Sequence, residues 1–187
     1  MNQTDIKAMQ RRIGVTEDGF WGPKSIEACQ AHLRKLMPEV NPWPAADQAG
    51  LTKDYGKAGD ESQLVAMDVV GLGILYDGKP VKVIRCHKKV ADSLKRVFTA
   101  ISKGPHRAIL GQYAGCYNNR AMRGGSTPSL HARGAAVDLD PDRNGNHVSW
   151  PTAANMPLEV MEEFAKEGWR AAGAFWSRDA MHFQATR

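Results

Sequence analysis

The chain of 187 residues is long enough to bury a core without staples and short enough for only one or two domains. Its 42% hydrophobic and 24% charged residues have the balance of a globular protein, and no run approaches the roughly 20 apolar residues of a bilayer span, so no stable membrane insertion is expected. The net charge of +5 points to an acidic polymer as partner, but Lys and Arg are dispersed. No nucleic-acid-reading helix or aromatic stacking motif accompanies them, so an anionic cell envelope is the better match and no nucleic-acid partner is expected. Cys29, Cys86 and Cys116 are far apart, odd in number and without a C-x-x-C pair, and read as reduced thiols rather than metal ligands. Met1 to Asp5 leads into no apolar stretch, so a signal peptide is not expected.

In chain order, residues 4–13 predict a helix, with Thr4 as cap, Ile6, Met9 and Ile13 on one face, and Gly14 at its end. A turn follows through Asp18-Gly19-Phe20-Trp21-Gly22. Pro23 then opens a second helix with Ile26, Cys29, Leu33 and Leu36 along one face, stopped by Pro38. Gln10-Arg11-Arg12-Ile13-Gly14, followed by Asp18-Gly19-Phe20-Trp21-Gly22-Pro23-Lys24-Ser25, resembles the type 1 peptidoglycan-binding module over about residues 3–38. The resemblance implies a small wall-binding helical unit in which Asp18, Phe20 and Trp21 carry the recognition turn.

Pro38, Pro42 and Pro44 make a semi-rigid connector, and the domain boundary is expected near residue 42: a helical module at 1–41, a second domain at 42–187. Ala45 to Tyr55 suits a short helix ended by Gly56. Gly73–Tyr76 and Val81–Arg85, joined across Asp77-Gly78, predict a β-hairpin. Residues 88–103 form the clearest helix, with Val90, Leu94, Val97, Phe98 and Ile101 inward and Gly104-Pro105 closing it. Residues 107–128, rich in Gly, Asn and Arg, read as a functional loop. A buried strand is expected from Arg133 to Leu139, entered through Gly134 where the backbone passes close to a neighbour. A helix follows at about 157–167. The last strand is expected to run through Trp169-Arg170 and resume at Ala180 to Gln184. Strand pairs mixed with helices indicate an α+β fold with an antiparallel sheet.

Among six histidines, His131 and His182 each sit near an acidic residue in an apolar, strand-like setting. His131, Asp138 and His182 would supply three ligands to Zn²⁺ and leave a fourth position open, as in a catalytic site. Asp179, three residues before His182, is placed to act as a general base. The other reading of these aspartates is turn capping. Asp140-Pro141-Asp142-Arg143-Asn144-Gly145 matches the start of a calcium loop, but Pro151 stands where the bidentate Glu is required, so a polar turn is expected instead. Trp169 and Trp176 are candidates to line a cleft, with core packing the expected role for at least one.

Ser129-x-His131-x-x-Gly134-x-Ala136-x-Asp138 with Asp179-x-x-His182-Phe183 resembles the M15 family of zinc peptidases, over about Trp43 to the C-terminus. That family includes D-Ala-D-Ala carboxypeptidases and dipeptidases and phage L-alanyl-D-glutamate endopeptidases, and Asp at position 179 suits the phage branch. The resemblance implies a DD-peptidase/hedgehog-like domain in which His131, Asp138 and His182 bind zinc, Asp179 is the catalytic base and Ser129 faces the substrate. It also implies an upstream side chain that polarises the scissile carbonyl; Arg120 is the first choice, with Arg123 and Gln112 as rivals. The expectation is a monomeric peptidoglycan hydrolase of the endolysin kind, held in the host cytoplasm until release, with a D,D-carboxypeptidase or a non-catalytic wall-binding protein as alternatives.

Overall fold

The computed structural model describes Met1–Arg187, with seven α-helices and eight short strands in mixed order. The architecture is α+β with small antiparallel sheets, as the mixture of signals predicted. Helix α1 spans Gln3–Ile13. Its cap is Asn2 rather than Thr4, because Asn2 and Asp5 form a reciprocal capping box that satisfies two end donors at once. Gly14 closes it in the left-handed region. Helix α2 spans Pro23–Leu36, with Pro23 in the first turn. The turn between them is folded around the buried Gln10 amide, whose Nε2 donates to Asp18 Oδ1 at 2.7 Å and to the Phe20 carbonyl at 3.0 Å.

This helical pair packs on α6 (Leu158–Lys166) and α7 (Ala172–Trp176). Arg12 makes a two-pronged contact with the buried Glu162 at 2.6 and 2.5 Å, and His32 Nε2 lies 2.7 Å from the same carboxylate. Burial works against the Glu162 charge, yet these hydrogen bonds hold its carboxyl below the usual range. Ile6, Met9, Trp21, Cys29 and Leu33 join Trp150, Met161 and Phe164 in one continuous apolar cluster. The proline-rich connector is docked as well: Trp43 Nε1 donates to the Glu167 carbonyl at 2.7 Å, and Asn41 Nδ2 to that of Gly168 at 2.9 Å. Helix α3 (Gln48–Tyr55) follows, capped by Asp47.

The expected hairpin is only partly present. Strands β2 (Leu75–Tyr76) and β3 (Lys79–Pro80) pair across Asp77 and Gly78, both with positive φ, as the Asp-Gly signal predicts. The next strand, β4 (Val83–His87), pairs instead with β1 (Leu64–Asp68), a strand absent from the sequence reading. Only Met67 of β1 is buried, so the segment has no alternation to reveal it. Helix α4 (Ala91–Lys103) buries Leu94, Val97, Phe98 and Ile101 as expected. The segment read as a loop holds a 3₁₀ helix (Arg107–Gln112) and strand β5 (Tyr113–Gly115).

The sheet that positions the site runs β5–β6–β8–β7, all antiparallel, with β6 at Ala136–Leu139, β8 at His182–Gln184 and β7 at Arg170–Ala171. Two expectations change here. The strand begins at Ala136, because Leu130–Arg133 winds into a 3₁₀ turn that Gly134 ends at φ +65°. The terminal strand is two strands, β7 and β8, separated by α7, since the small residues Ala172, Gly173 and Ala174 let that helix sit against Met161 and Ala180. A Cβ on Gly134 would lie 2.8 Å from the His87 amide nitrogen, which is the close backbone approach expected there. Helix α5 (Pro141–Asn144) is a single polar turn, with the Asp140 carboxylate held by Arg143 and Asn144. The three cysteines are free and buried, and burial pushes the thiols of Cys29 and Cys86 up to about 12. No helix is long and apolar enough to cross a membrane.

Candidate metal centre

Asp138 and His182 are directly opposed partners in the β6–β8 ladder, so the register itself brings their side chains together. His131 reaches the same point from the 3₁₀ turn, whose cap is Ser129. His131 Nε2 lies 3.2 Å from Asp138 Oδ1, His182 Nδ1 lies 3.0 Å from it, and the two nitrogens are 3.2 Å apart. Zinc with bonds near 2.0–2.1 Å in a tetrahedron separates its donors by about 3.3 Å, so this triangle matches one face of such a site. It is the single group of three such donors in the structure.

The outer contacts set which nitrogen faces inward. His131 Nδ1 lies 2.7 Å from the Cys116 carbonyl, and since a carbonyl only accepts, Nδ1 carries the proton and Nε2 is free for a metal. His182 is turned the other way: its Nε2 meets Gln184 Oε1 at 3.2 Å, and the Gln184 amide in turn donates to Thr186 Oγ1 at 2.6 Å. Burial opposes charge on Asp138, but its close contacts with His131 and His182 hold its carboxyl well below the usual range. Burial also opposes a proton on His182, yet the hydrogen bond and charge of Asp138 raise it on balance, so acid competes with a metal for Nδ1. The donor set, two imidazoles and an ionised carboxylate with oriented partners, fits zinc.

A cleft of about 410 Å³ opens over these donors. Asp179 lines it, in the left-handed region at φ +58°, with Oδ1 buried and unpartnered. Burial pushes its carboxyl above the ordinary value, against the pull of His182 and Arg123. Arg120, Arg123 and Ser129 also line the cleft. The Ser129 hydroxyl accepts the His131 N–H at 3.3 Å, and Arg120 donates to the Ala121 carbonyl at 3.2 Å. Gln112 is not among the lining residues; its carbonyl accepts the Asp140 N–H at 2.7 Å. Trp176 lines the cleft and stacks on His182 at 5.9 Å, whereas Trp169 is fully buried and donates to Ser93. Arg178, His147 and Gln184 join the lining although the sequence reading gave them no part in the site. Only Gln184 carried a local signal, at the alternate strand position after His182.

The residues of the N-terminal turn part company. Phe20 is 71% exposed and Trp21 9%, the latter packed edge-on against Trp150 at 5.3 Å. Asp18 spends its carboxylate on the Phe20 amide and Gln10, which also lower its pKa. A larger hollow of about 1150 Å³ between α1 and residues 142–159 contains no group of metal donors.

Three convergent donors and a half-buried carboxylate over an open cleft form a candidate metal site of the kind a metallopeptidase uses. Residues 123–185 match the M15 peptidase family model described as D-alanyl-D-alanine carboxypeptidase, which supports an M15 peptidase domain and a peptidoglycan-acting enzyme. No match was found among curated proteins or among solved structures.

Proposed function

We propose that this chain is a zinc-dependent peptidoglycan hydrolase of the endolysin kind that cuts the L-Ala–D-Glu bond of the stem peptide. The observation that carries the reading is the His131–Asp138–His182 triangle, with donors 3.0–3.2 Å apart beneath a cleft lined by Asp179. When bound, zinc supplies a Lewis acid and lowers the pKa of water to about 7. Asp179 takes the proton of the attacking water and returns it to the leaving amine; its burial above the usual carboxylate range suits both steps. Arg120 and Arg123 line the cleft as fixed positive charges for the developing oxyanion, with Arg120 assigned that role and Arg123 the substrate's carboxylates. Trp176 walls the cleft beside His182. The domain at 42–187 is assigned to the DD-peptidase/hedgehog-like group, and the helical pair at 1–41 to wall binding, with Phe20 as its exposed aromatic. The protein is stored as a monomer in the host cytoplasm and reaches the wall when another factor releases it.

The description of the matched family favours a second reading, removal of terminal D-Ala on the same scaffold. Purified peptidoglycan digested with and without a chelator, followed by mass spectrometry of the fragments, separates them. Chelator-sensitive release of peptides with a new D-Glu amino terminus is the expected result. Loss of terminal D-Ala alone sinks the endopeptidase assignment, and fragments unchanged by the chelator sink the metal mechanism.

A further inference from the structure

The turn that carries Asp179 is held in a costly conformation. Ser177 and Asp179, neither of them glycine, both have φ of +58°. Such residues persist only where the surroundings over-determine them. The unpartnered Asp179 Oδ1 gives the turn no help of its own. The His182 N–H donates to the Asp179 carbonyl at 2.9 Å, and the rest of the turn's support comes from two other segments. On one side Trp150 N–H donates to the Ser177 carbonyl at 3.0 Å, and Ser149 bridges to Arg178. On the other side the turn continues directly from α7.

Both flanking segments are gripped by the N-terminal helical pair. Trp21, buried, packs edge-on against the fully buried Trp150, with ring centroids 5.3 Å apart and planes at 82°. Gln30 Nε2 on α2 donates to the Ala174 carbonyl on α7 at 3.2 Å, and the Arg34 guanidinium lies 5.3 Å over the Phe175 ring. The metal donors are supported differently: His131 by the Cys116 carbonyl and Ser129, and Asp138 and His182 by the β6–β8 ladder. No hydrogen bond of the helical pair reaches those partners, and the nearest link is Trp176, at the end of α7, which stacks on His182.

We propose that the α1–α2 pair is a positioning element for the catalytic base, and that Trp21 and Gln30 are positioning residues acting through Trp150 and α7 on the Ser177–Asp179 turn. The inference rests on Asp179 being the base of the proposed peptidase. It assigns the pair a task separate from holding the wall, and predicts that turnover and metal binding come apart when the pair is loosened.

The test uses the full chain with soluble muropeptides, on which wall anchoring has no bearing. Trp21→Ala, Trp21→Phe and Gln30→Leu are compared with Val97→Ala, a core truncation in α4, which is not one of the segments that flank this turn. Expected for Trp21→Ala and Gln30→Leu is a fall in kcat on the order of 10-fold or more, with KM and zinc affinity in chelator competition within about twofold. Hydrogen exchange should quicken in peptides covering 146–152 and 174–182 and stay unchanged in β6. Val97→Ala should keep its kcat despite a lower melting temperature. Retention of parental kcat by both Trp21→Ala and Gln30→Leu overturns the proposal, as does an equal fall in Val97→Ala or a matching loss of zinc. If Trp21→Ala does not fold, Trp21→Phe and Gln30→Leu decide on the same readouts. If the parental chain cuts no muropeptide, the peptidase reading fails by itself, and unchanged exchange at 174–182 in the variants then overturns the coupling.

Discussion

Replacing Asp179 by Asn removes a charge and a base while leaving shape and backbone almost untouched. Asn accepts the left-handed region that Asp179 occupies at φ +58°, so the turn has no new reason to move. A positioned general base contributes about 10²- to 10⁴-fold, or about 2.7–5.4 kcal/mol of barrier, and the whole of that is lost with the amide. Stability should move the other way. Burial raises the carboxyl in the folded protein above its unfolded value, so the folded state favours the protonated form, and the ionised group present at neutral pH costs stability. The uncharged amide removes that cost, and the melting temperature should stay level or rise slightly. Zinc content should not change, since the three donors are intact. Muropeptide hydrolysis, thermal unfolding and zinc analysis on the same preparation check all three. If the variant keeps more than about a tenth of the parental rate with zinc bound, Asp179 is not the base.

Gln184→Leu removes the acceptor that orients His182 Nε2, and zinc affinity in chelator competition should fall about 10- to 100-fold while the fold is kept. His87 is buried, and its pKa is pushed down to about 4 by that burial and by Lys89 and Lys88. The unfolded chain therefore binds the extra proton between about pH 6.5 and 4, and stability should fall as pH drops through that window, by at most about 1.4 kcal/mol per unit. Denaturant unfolding of the parent and of His87→Gln, which lacks this proton uptake, measures the difference. Trp169→Phe should cost about 1–2 kcal/mol in unfolding free energy through the lost bond to Ser93 and leave kcat unchanged. Trp176→Ala, on the exposed wall of the cleft, should leave stability within about 0.5 kcal/mol and raise KM.

Some of the site was legible because its chemistry is written in short spacings. Asp179-x-x-His182 places a candidate base and a metal-donor histidine within one turn and strand, and the amphipathic faces of α2 and α4 announce themselves at helical period. The arginines at 120 and 123 were legible only as a pair, since loop position alone does not say which guanidinium faces the substrate. Strand β1 was hidden for a different reason: with one buried residue, its place comes from the partner β4 rather than from any pattern of its own.

By itself the sequence offered the donor types, a candidate base, the helices with one apolar face and the wall-hydrolase resemblance, each read from short runs such as 129–138 and 179–183. Tertiary structure decided that His131 stands on a 3₁₀ turn, that Asp138 and His182 are ladder partners, and that Cys116 and Gln184 select their ring nitrogens. It also decided that Trp21 faces Trp150 while Phe20 faces solvent. The physical reason is that periodicity marks an apolar face without naming what covers it. The partner of Arg12 lies 150 residues away, and only the closed core brings the two together.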